Sequence, residues 1–188
     1  PGMGFGTHPH DTMEIISLPF SGALRPRDSM GNEKTIKEGQ IQVMSAGSGV
    51  THSEFNPNQD KEVKFLQIWV IPNERDVTPR YDQQQLPDFD QKNVLHQVLS
   101  PSADDAGVWI HQDAWFHMGR FDVSEGAKYQ WKSDNNGLYA FVLEGGFELG
   151  EHQLGRRDAL GIWDTNTISL KATAPESRIL LIEVPFGN

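Results

Sequence analysis

A chain of 188 residues is long enough to bury one large core or two small ones, and its 37% hydrophobic and 22% charged residues are ordinary for a soluble globular protein. Sixteen basic against twenty-six acidic residues give a formal charge of -10, which argues against direct nucleic-acid binding. The absence of cysteine excludes disulfides, thiolate metal ligands and cysteine nucleophiles. Nothing resembles a signal peptide or a membrane span, so a cytoplasmic protein with no membrane partner is expected.

In chain order, "GFGTHPHDTME" (4–14) comes first and sets His8 and His10 two residues apart. Residues i and i+2 of a strand share a face, so both imidazoles can point at one ion. Pro9 between them has no N–H and suits a strand edge or start. "MEIISL" (13–18), "GQIQVMS" (39–45) and "VKFLQIWVI" (63–71) are rich in β-branched and aromatic residues and predict strands. Pro19 interrupts "SLPFSGAL", which predicts an edge or distorted hairpin. "SMGN" (29–32) reads as a turn. Within "GSGVTHSEFN" (47–56), His52 and Glu54 repeat the i, i+2 spacing.

Residues 72–107 are polar, carry four prolines and leave room for a short helix or two. Beyond them "YAFVLEGGFELG" (139–150), "DALGIWD" (158–164) and "SRILLIEVPF" (177–186) predict strands again, with "SDNNG" (133–137) as a turn. Residues 16–24 and 139–149 both run apolar strand, glycine turn, second strand. The fold class is therefore all-β, with two similar β-sandwich barrels joined by a linker.

Three imidazoles and a carboxylate from two neighbouring strands would suit a divalent first-row metal and leave positions open for water or substrate. Taken singly, an HxH pair is equally a surface feature. His96, His111, His117 and His152 form no such pair, so no metal is expected in the second half. Trp69, Trp109, Trp115, Trp131 and Trp163 are expected to pack the cores.

The motif residues resemble a known family. Gly2, His8-x-His10, Glu14 and a glycine at Gly22 fit the first cupin motif, the last one residue late; Gly39, Gly47, His52 and Asn56 fit the second. "GTHPH", "DSMGN", "QVMSAGSGVTHSE" and "LQIWVIPNERDVTPRYDQ" resemble the pirin family, densely over residues 2–85, and especially its bacterial quercetinase-like members. That resemblance implies a bicupin of two jelly-roll barrels. A metal-holding N-terminal barrel spans 1–85, a linker 86–107, and a barrel without metal 108–188.

It further implies ligation of one divalent transition metal, usually Fe(II), by His8, His10, His52 and Glu54, with Glu14 structural. Zn, Mn, Co, Ni and Cu suit the same donors. The implied activity is quercetin 2,3-dioxygenase: a flavonol or other phenolic is cleaved in its central ring by dioxygen, releasing carbon monoxide. Glu54 would serve as catalytic base as well as ligand. Phe5, Met13, Met44 and Phe55 either sandwich the flat substrate or belong to the core. The alternative is a non-enzymatic, metal-binding regulator that acts through a protein partner.

Two departures stand out. Arg25-Pro26-Arg27 replaces residues that are often acidic or histidine in relatives, and either faces solvent or meets an anion. Pirins also carry strands before the opening glycine, so the first barrel is expected to lack its first strands and to show an edge.

Overall fold

Alternating side chains build every element of the fold. The computed structural model describes residues 1–87 and 91–186, and among these there are eighteen strands and no helix. Eight strands come first: β1 (Gly4–His10), β2 (Glu14–Ser21), β3 (Ala23–Asp28), β4 (Ile36–Lys37), β5 (Gln40–Ser45), β6 (Val50–Phe55), β7 (Lys64–Val70) and β8 (Arg80–Gln85). Then follow β9 (Val94–Ser100), β10 (Val108–Trp109), β11 (Trp115–Phe121), β12 (Gly126–Gln130) and β13 (Asn136–Glu144). The last five are β14 (Gly146–Leu149), β15 (His152–Gly155), β16 (Ala159–Ile162), β17 (Thr167–Ala172) and β18 (Ser177–Pro185).

The chain divides into two units. Unit 1 comprises Pro1–Leu86 and Pro101–Gln112; unit 2 comprises Pro87–Ser100 and Asp113–Asn188. Among the described residues the middle stretch forms no helix. "VLHQVLS" (94–100) is instead a strand of unit 2, pairing antiparallel with β11 from Leu95 opposite Gly119 to Leu99 opposite Phe116. β-Branched Val94 and Val98 favour that state, and the ladder with β11 supplies the backbone partners. Residues 88–90 of the stretch read as a linker lie outside the described residues.

Unit 1 is two four-stranded antiparallel sheets, ordered β1-β6-β3-β4 and β7-β2-β5-β8. Ile15, Met44, Ala46 and Val50 pack between them, with Met13 half-buried alongside. Met44 is thus core rather than a substrate contact. Gly22 turns β2 into β3 with φ +75°, a conformation open to glycine but strained for other residues. Pro19 lies past the last β2–β5 pair, Ser17 opposite Gln42, so only β7 accompanies it, and the register slips between Pro19 and Ser21. Arg25 and Arg27 point outward from β3 while Pro26 is buried between them. Arg27 pairs with Glu33 at 2.7 Å, both exposed, so this segment is a solvated face.

In unit 2, β9-β11-β18-β13-β16 and β12-β17-β14-β15 enclose a core of Phe121, Tyr129, Trp131, Phe147, Leu170 and Leu181. Its buried carboxylate, Glu183, accepts hydrogen bonds from Tyr129 Oη (2.7 Å), the Lys132 and Ser133 amides (2.8 and 3.1 Å) and Asn136 Nδ2 (2.8 Å). Of the five tryptophans expected in the cores, Trp131 is buried, but Trp69 and Trp163 are exposed. Trp163 stacks on Phe186, and half-buried Trp109 lies under the Arg80 guanidinium at 3.8 Å. Large amphipathic rings tolerate such half-wet positions, and Trp69 sits on an edge strand.

Candidate metal centre

Strand register brings the histidines together. β1 lies antiparallel to β6 with His8 directly opposite His52, so both rings leave the same face. His10 follows two residues on and shares that face. The phase depends on a bulge: Phe5 pairs with Glu54 and His8 with His52, so β1 carries one more residue than β6 over that interval. Gly6, inside the bulge, turns its carbonyl to accept from His8 Nδ1 at 2.8 Å. That bond fixes the proton on Nδ1 and leaves the Nε2 lone pair free, an arrangement common among metal-binding histidines. Gly4 is also constrained, since a Cβ there would run into the Glu54 carbonyl. Pro9 occupies edge strand β1, where no further neighbour requires its N–H.

One ligand atom from each of His8, His10 and His52 lies within 4.8 Å of the others. Nε2 of His8 and Nε2 of His52 approach to 3.0 Å, and all three rings meet edge-on at centroid distances of 4.5 to 4.9 Å. Burial first, then the neighbouring imidazoles, push the His52 pKa down to about 4; burial and His8 likewise lower that of His10, against a small opposing pull from Asp11. His10 and His52 are therefore neutral and carry lone pairs at neutral pH. His10 Nε2 and His52 Nδ1 are buried without a hydrogen-bond partner among the described residues. Orphaned ring nitrogens within a histidine triad are a donor set that fits a transition-metal cation.

The structure does not bring Glu54 into that cluster of three. It sits two residues beyond His52 on the same face of β6, 1% exposed, and its carboxylate reaches across to the other sheet. Oε2 accepts from Gln67 Nε2 at 2.6 Å, whereas Oε1 is met by Ser17 Oγ at a long 3.5 Å. Burial raises the Glu54 pKa, against opposing pulls from Gln67, His8 and Ser17. Ser17 and Gln67 were not apparent from the sequence. They are opposite each other in the β2–β7 ladder, and the signal for both was a polar side chain inside an apolar strand. Trp69, two residues after Gln67, lies edge-on to His10 with centroids 5.1 Å apart and is 55% exposed.

Other candidates fall elsewhere. Glu14 leaves the opposite face of β2 from Ser17 and accepts from Ser45 Oγ at 2.7 Å and the His111 amide at 3.3 Å, so it is structural. Phe5, opposite Glu54, is exposed at 59%, whereas Phe55 alternates to the far face of β6 and does not border the triad. His111 meets Trp109 edge-on in unit 1, and His96, His117 and His152 belong to unit 2.

The lowered His52 pKa ties the stability of the cation-free protein to pH. Between the ordinary value of 6.5 and about 4 the unfolded chain binds a proton that the folded one does not. Stability is therefore full above the unfolded value and is lost as pH falls toward the folded one, by roughly 3 kcal/mol from this residue. Urea midpoints measured from pH 7 to 4 with a chelator present should show this decline, and His52→Ala should remove most of the slope.

Comparison with known proteins shows the family of the chain. Residues 2–70 match the Pirin family model, and residues 97–184 match that of the quercetinase C-terminal cupin domain. The chain is 36% identical over 98% of its length to an Escherichia coli K12 protein named quercetin 2,3-dioxygenase, covering 78% of that protein. It superposes on the crystal structure of the bacterial pirin YhhW in complex with nickel(II), from E. coli, with a TM-score of 0.90 and 34% identity over 98% of this chain and 77% of that one. YhaK from E. coli is similar at a TM-score of 0.85 and 25% identity, over 99% of this chain and 81% of that one. With its two β units and its histidine triad, the chain belongs to the pirin family of two-domain β cupin proteins.

Proposed function

We propose that the chain binds one divalent transition metal, Fe(II) for the reaction, through His8, His10 and His52 with Glu54 as fourth donor, and cleaves the central ring of a flavonol with dioxygen. One observation carries this reading: three imidazoles share a face, with a ligand atom of each within 4.8 Å of the others. Similarity to a protein named quercetin 2,3-dioxygenase supports the substrate class, and the nickel(II) complex of YhhW supports a divalent cation. When bound, the cation supplies Lewis acidity that lowers the pKa of a coordinated phenolic hydroxyl.

The chain's own residues supply the rest. Glu54 Oε1, which has the weaker contact of the two oxygens, takes the proton of the flavonol 3-hydroxyl. Burial raises this carboxyl, making it a stronger base than a solvated one. Trp69 offers an exposed apolar ring beside His10, and Phe5 offers one opposite Glu54, on which a flat aromatic ligand stacks and sheds water. The deprotonated flavonol is then electron-rich enough to be oxidised by dioxygen, and the excised carbon leaves as carbon monoxide.

The test is to load the protein with Fe(II), add quercetin under oxygen and follow the flavonol absorption band. Bleaching that disappears in His52→Ala supports the dioxygenase. Bleaching no faster than that variant overturns it and leaves a metal-binding regulator. Equal rates on several unrelated phenolics would assign a broader specificity.

A further inference from the structure

We infer that Gln67 is a positioning residue for the Glu54 carboxylate and that Trp69 fixes which way round Gln67 sits. This rests on the reading of Glu54 as donor and base beside the histidine triad. Gln67 and Trp69 occupy alternate positions of β7, so both side chains leave the same face. Gln67 Nε2 donates to Glu54 Oε2 at 2.6 Å, and Gln67 Oε1 accepts from Trp69 Nε1 at 3.2 Å.

A side-chain amide has a donor end and an acceptor end of nearly equal shape, and a carboxyl that gains and loses a proton can face either end, so Glu54 alone does not fix the orientation through the reaction. An indole nitrogen is a donor only. The amide oxygen must therefore face Trp69, which turns the NH₂ group toward Glu54. Oε2 is held there as an acceptor, the plane of the carboxylate is set, and Oε1 is left for the cation and the substrate. The same indole lies 5.1 Å from His10, so Trp69 borders two of the four proposed donors, one directly and one through Gln67. Being 55% exposed, it is also a ring that an incoming ligand covers. A chain of hydrogen bonds thus runs from the exposed edge strand to the buried base.

The experiment compares Gln67→Leu, Trp69→Phe and the double variant by two readouts. One is the affinity for Ni(II) alone, by titration calorimetry. The other is kcat and KM for quercetin with the Fe(II)-loaded protein. Trp69→Phe keeps an aromatic ring and removes the N–H. Gln67→Leu should weaken Ni(II) binding about tenfold, as loss of a partner to a metal-bound group does, and lower kcat with KM little changed. Trp69→Phe should have a several-fold effect in the same direction. The double variant should be no worse than Gln67→Leu, because the tryptophan acts through the amide.

Multiplicative effects in the double variant, or wild-type Ni(II) affinity in Gln67→Leu, would overturn the assignment. If Gln67→Leu does not fold, Trp69→Phe decides alone, and unchanged Ni(II) affinity there overturns it. His52→Ala run alongside separates the two levels. Ni(II) binding that survives in His52→Ala sinks the metal reading, whereas loss in His52→Ala with no effect at residues 67 and 69 sinks the positioning role alone.

Discussion

Replacing His52 with alanine is expected to abolish divalent-cation binding and to lower flavonol consumption about a thousandfold or more, while the protein still folds. His52 is 1% exposed, lies opposite His8 in the β1–β6 ladder, and approaches it to 3.0 Å through the ring nitrogens. Two imidazoles on one strand remain, and Glu54, which stands outside the cluster of three, does not make up for the lost ring, so loss of the third imidazole removes the cation. A Lewis acid contributes several kcal/mol to stabilising developing charge, which sets the size of the kinetic loss. Folding survives because Val50, on the same face of β6, stays buried and the strand keeps its ladder with β3 from Arg25 to Asp28. Metal analysis, calorimetry and a thermal melt on the same sample check all three statements. A variant that kept one cation per chain would show that His52 is not a ligand.

The second large effect concerns stability and lies in unit 2. Glu183→Leu should destabilise that unit by roughly 4 kcal/mol, lowering its melting temperature by on the order of 20 °C. The carboxylate is fully buried and receives four donors: the Tyr129 hydroxyl, two consecutive backbone amides at residues 132 and 133, and Asn136. Those amides begin the turn between β12 and β13, so one side chain on β18 holds that turn in place. Leucine would strand four donors, two of them buried side chains and two part-buried backbone amides, each costing about 1 to 3 kcal/mol unless water reaches it. Glu183→Gln should be much milder, near 1 kcal/mol, because its carbonyl oxygen keeps the three nitrogen donors and the Tyr129 hydroxyl rotates to accept from the new amide. The same bond, with burial ahead of it, pushes the Tyr129 pKa well above its usual value. Calorimetric scans of the three proteins would show equal stability if Glu183 were dispensable.

The contrast between the two units explains what was legible in the sequence. The i, i+2 spacing of His8 with His10 placed both imidazoles on one face, and the structure joins His52 to them. The same spacing between His52 and Glu54 put the carboxylate on the right face, but not its reach: Glu54 extends to Ser17 and Gln67 on the other sheet. Those partners were invisible because they depend on how two sheets face each other, which strand periodicity does not encode. The bulge at residues 5–8 was also hidden, although it is what aligns His8 with His52. Trp69 was misread as core for a related reason, since ring size suggests burial but an edge strand leaves the ring half in water. Residues 94–100 resisted reading because a short apolar run between prolines fits strand and helix alike.

The most direct measurement is anomalous diffraction at the nickel edge from crystals of the protein grown with Ni(II). One peak is expected per chain, about 2.0–2.2 Å from a ring nitrogen of each of His8, His10 and His52 and from a carboxylate oxygen of Glu54. A peak that lacked any one of the three imidazoles, or that lay elsewhere on the chain, would contradict the shared cation.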